Sequence, residues 1–518
     1  MATRSVYTNT IAQIAGKVAT ALISIFLIKI LTNYLDVAGY GLYAKIYNYL
    51  SIFSVIADLG LYTLSVREMS KNIDNPQKVG QIAGILLTLR TILGIGIIVS
   101  SLLLAMLLPG YNTPVALIGV LIAGIFTLFG LLNSAILSVL QAYLKTEFSF
   151  VSVTVGKVVN FLAVLAVVWV VLPKPLQGTI GVFETSDVAF LAILGTGLLG
   201  NIVMTVLLYG YSRRILPIRF HWDVGYIKKL LWESLPYGLA LFFNVLFFKV
   251  DVVLLSLLEA PDIADHVVAL YSLPMKIIEV GMMFGTVFLN SMLPLFTQSI
   301  NDHIKLEKLV KKSYGILLFF GGATALFLTL KSEMVLRLIA SEKYLVPVGQ
   351  YSSVDALQIV SFVFFLFFTS SLFNYLLIAS GKQGRLLWIN GAIALVNIVG
   401  NLILIPKYSF IGSAWATVFS QILLIICTAY ATRDVIRFDF SPKTTLGIVG
   451  VLALSAASLL VANELVVGSG GWVVLLDSLG IQSHVQWLAI AMDLSVSSVA
   501  FGVPALLGFW LVQKYISK

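Results

Sequence analysis

Seven cations and four carboxylates interrupt the apolar stretches of this 518-residue chain: Lys17, Lys29, Lys45, Arg90, Lys157, Lys249 and Lys276, against Asp58, Asp251, Glu279 and Asp493. A charge at the centre of a membrane-spanning helix costs at least ~2.5–3.5 kcal/mol on insertion scales, so each must reach water, a partner or a ligand. Lys29, Lys45 and Lys157 lie near segment ends, where snorkelling to the interface is an alternative to lining a cavity. Lys17, Lys249, Lys276 and Glu279 lie too deep for that. Asn9, Gln13, Lys17, Thr20 and Ser24 step by four, four, three and four, which makes one polar row on a helix. Ser272, Lys276, Glu279, Thr286 and Asn290 follow the same rule, and Tyr237, Asn244 and Asp251 recur every seven residues. Rows of this kind suit a water-filled cavity, although such residues also mark ordinary helix packing.

The depths of Asp251 and Lys276, and of Lys249 and Glu279, permit ion pairs between two neighbouring helices. The remaining charges are mostly cationic, and a low-dielectric cavity with excess positive charge concentrates anions. Lysine suits phosphate as a point charge and arginine as a bidentate fork. Asp58, Asp251 and Glu279 are candidates for ion coupling if they are not structural partners. No nucleophile, phosphate-loop or metal-spacing motif is present. The four histidines are scattered and the single cysteine, Cys427, falls in an apolar run, so neither catalysis nor a cofactor is expected.

The elements that must hold these residues follow from composition. Hydrophobic residues make up 59% of the chain, charged residues 11%, and mean hydropathy is +0.99. A soluble domain carries roughly 25% charge. Apolar runs of about twenty residues suit helices crossing a ~30 Å core rather than barrel strands. About fourteen spans are expected, from 7–32 to 486–513, with short connections and an interfacial amphipathic helix in the basic linker 212–232. With the N-terminus inside, 21 basic residues outside the spans fall on the cytoplasmic side and 5 on the other, which is the positive-inside asymmetry. Both termini are then cytoplasmic in a multi-pass plasma-membrane protein. The basic residues do not cluster on a soluble face, which excludes nucleic acid as a partner.

Ala142-x-x-Lys145 is followed fifteen residues on by Val159-Asn160, and Ala379-x-x-Lys382 by Val396-Asn397 at the same spacing. Helices one to six therefore look repeated as seven to twelve, in one orientation, as parallel repeats. The expected organisation is a six-helix bundle over 1–220, a second over 221–440, and two extra helices over 441–518.

The chain resembles the polysaccharide or oligosaccharidyl-lipid flippases of the multidrug/oligosaccharidyl-lipid/polysaccharide exporter superfamily. Lys29-Ile-Leu-x-x-Tyr-Leu, Gly39-Tyr-Gly-Leu-Tyr43, Asp58-Leu-Gly-Leu61 and Val66-Arg-Glu68 carry the resemblance in the first half. Ser234-Leu-Pro236, Ala269-Leu-Tyr271, Leu293-Pro294 and Ala379-x-Gly381-Lys382 carry it in the second. Lys29 stands where many relatives have arginine. The resemblance implies two bundles around a central cavity, alternating access, and a lipid-linked oligosaccharide, usually on undecaprenyl pyrophosphate, moved to the outer leaflet. The implied partners are that lipid-linked glycan, membrane lipids, and the polymerases or glycosyltransferases that handle the glycan. Alternatives are a drug or metabolite antiporter of the same superfamily, which needs unpaired cavity carboxylates, and a lipid II flippase. A polyprenyl-linked glycosyltransferase or polymerase would need catalytic groups on substantial outer loops, and the loops at 33–39, 109–113 and 406–409 are short.

Overall fold

The computed structural model describes residues 20–180, 182–436, 442–462 and 485–516. Asn9, Gln13 and Lys17 lie outside them. The architecture is all-α and polytopic, as composition requires. Eleven described helices are long and apolar enough to cross a membrane. The longest, α13 (Gln383–Thr432), is two helices joined at Ser409 (φ 54°, ψ −142°), three residues after Pro406. Two shorter apolar helices, α1 (Thr20–Tyr34) and Leu446–Val461, border undescribed residues.

The chain separates into two compact units. The first holds the described residues up to Ala269 together with Asn390–Ser409. Its helices after α1 are α2 (Val37–Asp58), α3 (Leu61–Lys71), α4 (Pro76–Leu107), α5 (Pro114–Ala142), α6 (Thr146–Ala166), α7 (Thr185–Ile215) and α8 (Val224–Leu258). α4 packs on α5, α7 on both α5 and α6, and α2 on α8. Local chemistry places the boundaries. Asp36, Asn75, Thr113 and Asp223 cap the backbone N–H groups of Gly39, Lys78, Ala116 and Tyr226, and Pro76 and Pro114 occupy first-turn positions where no donor is lost. α2 ends at Leu59 (φ 37°) and Gly60 (φ 74°), which places a backbone break directly after Asp58. A short antiparallel hairpin, β1 (Thr179–Ile180) with β2 (Phe183–Glu184), precedes α7.

The linker differs from expectation. Residues 216–223 carry no helix, and Leu216 and Ile218 drop into an apolar cluster with Ile82, Leu86, Val139, Leu140 and Leu208. The amphipathic part begins at Val224 and runs on into the spanning part of α8. Ile227 and Leu230 are buried while Lys228, Lys229 and Trp232 are exposed. The helix does not stand alone because its N-cap and apolar face are continuous with the span that follows.

The second unit holds Leu270–Ile389 and the residues from Phe410 onward. It contains most of α9 (Ala264–Gln298), then α10 (His303–Leu330), α11 (Ser332–Ile339), α12 (Ser353–Ala379), the second arm of α13, α14 (Pro442–Ala462) and α15 (Val485–Ile516). Ser352 and Asp355 form a capping box at the start of α12. The last two helices dock on α10 through Leu318, Phe319, Ile448, Leu459 and Phe501, with Phe319 and Phe509 stacked at 4.2 Å.

Candidate functional site

Gly41 and Lys45 lie one turn apart on α2, and both meet the start of α9. A Cβ on residue 41 would sit 1.7 Å from the Asp265 carbonyl oxygen, so only glycine allows the approach. One turn on, Lys45 Nζ lies 2.5 Å from Asp265 Oδ1, donates to the Gly110 carbonyl at 2.9 Å, and sits 5.1 Å from the centre of the Tyr111 ring. The Tyr111 hydroxyl meets Ser256 Oγ at 3.1 Å, and Tyr49 donates to the Ser101 carbonyl at 2.8 Å. Lys45 is 2% exposed. Its charge ties α2, the α4–α5 turn, α8 and α9 together. Removing one partner of such a pair leaves an uncompensated buried charge. Asp265 escaped the sequence reading because the sequence places it in the short turn 259–266, whereas it lies in the first turn of α9. The four-residue spacing of Gly41 and Lys45 is the signal that a close partner exists.

Arg90 is fully buried, and its Nη2 donates to Asp58 Oδ1. Its Nε and Nη1 have no hydrogen-bond partner among the described residues. Asp58 is 31% exposed, so the pair has a buried cation and an accessible anion. The α2–α3 break that presents Asp58 is itself clamped. A Cβ on Gly238 of α8 would lie 2.4 Å from the Leu59 carbonyl oxygen, leaving no room for a side chain there. A buried guanidinium with open donors beside a half-accessible carboxylate can hold a water or an anionic group.

Asp251 is fully buried and accepts from Asn401 Nδ2 at 2.9 Å. Asn401 also reaches the Asn397 carbonyl at 2.9 Å, which places the asparagine of the repeated Val-Asn pair in this cluster. Asn401 was not among the expected residues, although its four-residue spacing from Asn397 in an apolar run puts both on one face. Lys276 donates to Glu279 Oε2 on its own helix at 3.0 Å. Lys276 is exposed and Glu279 half-buried, and further along the same row the Tyr375 hydroxyl donates to Asn290 Oδ1 at 2.7 Å. Asn244, Lys29 and Lys249 are half-buried, and Lys157 is exposed. Asp493, on α15, interacts with Lys331 after α10. Burial lowers the Lys331 ammonium below its usual range, and the carboxylate opposes that shift. The structure thus brings Asp58 to Arg90, Lys45 to Asp265 and Lys276 to Glu279. Among the described residues no group of three or more histidine, cysteine, aspartate or glutamate side chains could hold a metal.

Comparison with known proteins places this geometry. Residues 6–300 match the family described as polysaccharide biosynthesis protein. No curated protein matches the chain in sequence. Among solved structures, a lipid II flippase, MurJ, in an inward closed conformation is similar with a TM-score of 0.67 and 13% identity, covering 97% of this chain and 98% of that one. An inward-facing multidrug resistance transporter of the MATE family has a TM-score of 0.64 and 14% identity, covering 82% and 98%. A superfamily transporter from Pyrococcus furiosus, described by a reversed polarity of its binding pocket, has 0.57 and 13%, covering 83% and 96%. These likenesses show a shared transporter fold. The match over more than half of the sequence shows that the chain belongs to the polysaccharide biosynthesis protein family.

Proposed function

We propose that the chain moves a lipid-linked oligosaccharide or polysaccharide repeat unit, carried on a pyrophosphate, from the inner to the outer leaflet. Movement is by alternating access through a cationic central cavity, with both termini cytoplasmic and with six, six and two helices. The family match carries this reading, because the cargo of polysaccharide biosynthesis at a membrane is a glycan on a lipid phosphate. The surplus of embedded cations supports it, since an anionic headgroup needs positive charge along its path. An inside-negative potential favours outward movement of an anion by about 2.3 kcal/mol per charge per 100 mV. The glycosyltransferases that build the cargo and the polymerases that extend it are the partners this role implies.

A lipid II flippase is the second reading. Its support is that the lipid II flippase fold runs along 97% of the chain, whereas the multidrug transporter folds cover 81–84%. The deciding experiment reconstitutes the full chain in liposomes and follows leaflet exchange of a fluorescent lipid-linked oligosaccharide, of lipid II, and efflux of a cationic dye. Exchange of the oligosaccharide should fall about tenfold in Lys17→Ala and Lys29→Ala, the size of one charge-assisted contact. Unchanged exchange in both variants would sink the cationic path. Dye efflux without lipid exchange would identify an antiporter, and exchange of lipid II alone would identify the second reading.

A further inference from the structure

A groove of about 710 Å³ opens on the second unit where the start of α13 meets its end. Ile389, Ile426 and Ala431 give it an apolar lining, and Trp388 (79% exposed) and Tyr430 (62%) stand on its rim. Its basic residues are in two different states. Arg385 gives both Nη atoms to Asp434 at 2.8 Å each and also reaches the Ala431 carbonyl at 2.6 Å, while Lys382 reaches Asp434 at 2.7 Å. That carboxylate is therefore saturated. Arg433 lies 3.8 Å over the Tyr430 ring and donates from Nη2 to the Tyr430 hydroxyl at 2.8 Å. No carboxylate pairs with Arg433 among the described residues. Its planar fork is held in one orientation with most of its donors unused.

The surface leading to the groove is lipid-like in its demands. Trp415, Phe419, Ile422, Ile426 and Tyr430 step by four, three, four and four along the second arm of α13, and all are exposed. This is one apolar face running to the basic end. Arg385 and Arg433 against Asp434 leave the lining positive, so its ligand is an anion with an apolar tail.

We infer that this groove binds an anionic glycerophospholipid of the surrounding leaflet, its phosphate on Arg433 and an acyl chain along Ile426, Ile422 and Phe419. Basic pockets between spanning helices at the cytoplasmic side suit such headgroups, and interfacial tryptophan and tyrosine fix their depth. A zwitterionic lipid fits worse, because its choline cation would meet the two arginines of the lining. On this reading the lipid is held as a bound membrane lipid and is not flipped.

Cys427 lines the groove and is the chain's single cysteine, which makes occupancy readable. The full chain is placed in phosphatidylcholine nanodiscs with or without phosphatidylglycerol, and the alkylation rate of Cys427 by N-ethylmaleimide is measured. Phosphatidylglycerol should slow alkylation about fivefold, the effect of one basic contact at a membrane surface. Arg433→Gln should abolish the slowing and Arg433→Lys should keep most of it. Equal rates in the two lipids, or slowing that survives Arg433→Gln, would overturn the site. Stronger protection by a polyprenyl pyrophosphate than by phosphatidylglycerol would also overturn it, since the groove would then belong to the cargo. If Arg433→Gln does not fold, the wild-type comparison of the two lipids still decides.

Discussion

Arg90 and Asp58 can be separated as a structural pair and as a transport element by the way buried charge behaves. Asp58→Asn leaves a fully buried guanidinium without its counter-charge, which should cost about 3 kcal/mol and lower the thermal unfolding midpoint in detergent. Replacing both with apolar residues, Asp58→Leu with Arg90→Met, should recover most of that stability. If the double variant is stable and still flips lipid, the pair is packing alone; if it is stable and inactive, the accessible Asp58 takes part in transport. Asp434 makes a second residue-scale prediction. Hydrogen bonds from Arg385, then Lys382, hold its carboxyl below the usual range. A carboxyl depressed on folding contributes stability above its unfolded pKa, and loses it as pH falls towards the folded value. The difference in unfolding midpoint between wild type and Asp434→Asn should therefore stay constant from pH 7 to about pH 5 and shrink only below about pH 4.

Among the elements, α2 does most to position charge. Its first half brings Gly41 and Lys45 against the start of α9, and its last turn delivers Asp58 to Arg90 before the chain breaks at Leu59 and Gly60. Gly41→Val should be as damaging as Asp265→Asn, which leaves the buried Lys45 uncompensated, about 3–5 kcal/mol, because a side chain at 41 displaces the backbone that carries Asp265. Unfolding midpoints of the two single variants and their double variant check this. If the double loses no more than either single, the two residues act through one contact. α13 holds the two spans that the sequence places at 386–405 and 410–432, because Pro406 and Ser409, at positive φ, end the first arm.

For the whole molecule, the topology rests on where the basic residues sit. Lys71, Lys78, Arg213, Arg214, Lys228 and Lys229 border the same ends of alternate helices in the first unit, and Lys305, Lys308, Lys382, Arg385 and Arg433 do so in the second. Membrane insertion reads that bias directly. A green fluorescent protein fused after Lys518 should fluoresce and an alkaline phosphatase fused there should be inactive. The opposite pair of results would invert the orientation and, with it, the direction in which the potential assists an anion.

The sequence alone determined that the chain is a polytopic helical membrane protein, and it placed most of the eleven described apolar helices to within a few residues. These are properties of local windows: a twenty-residue apolar run, a basic flank or a three-and-four spacing is complete in itself. The break after Asp58 was not read from the sequence, where apolar residues continue on both sides of Leu59-Gly60. Tertiary structure decided which charges have partners. Lys45 finds Asp265 across 220 residues of sequence, and Asp251 finds Asn401 across 150. No periodicity within one helix specifies which other helix it will face, so a cation that reads as cavity lining can be half of a buried pair. That choice is made by close contacts such as Gly41 on Asp265, which exist only after the helices have packed.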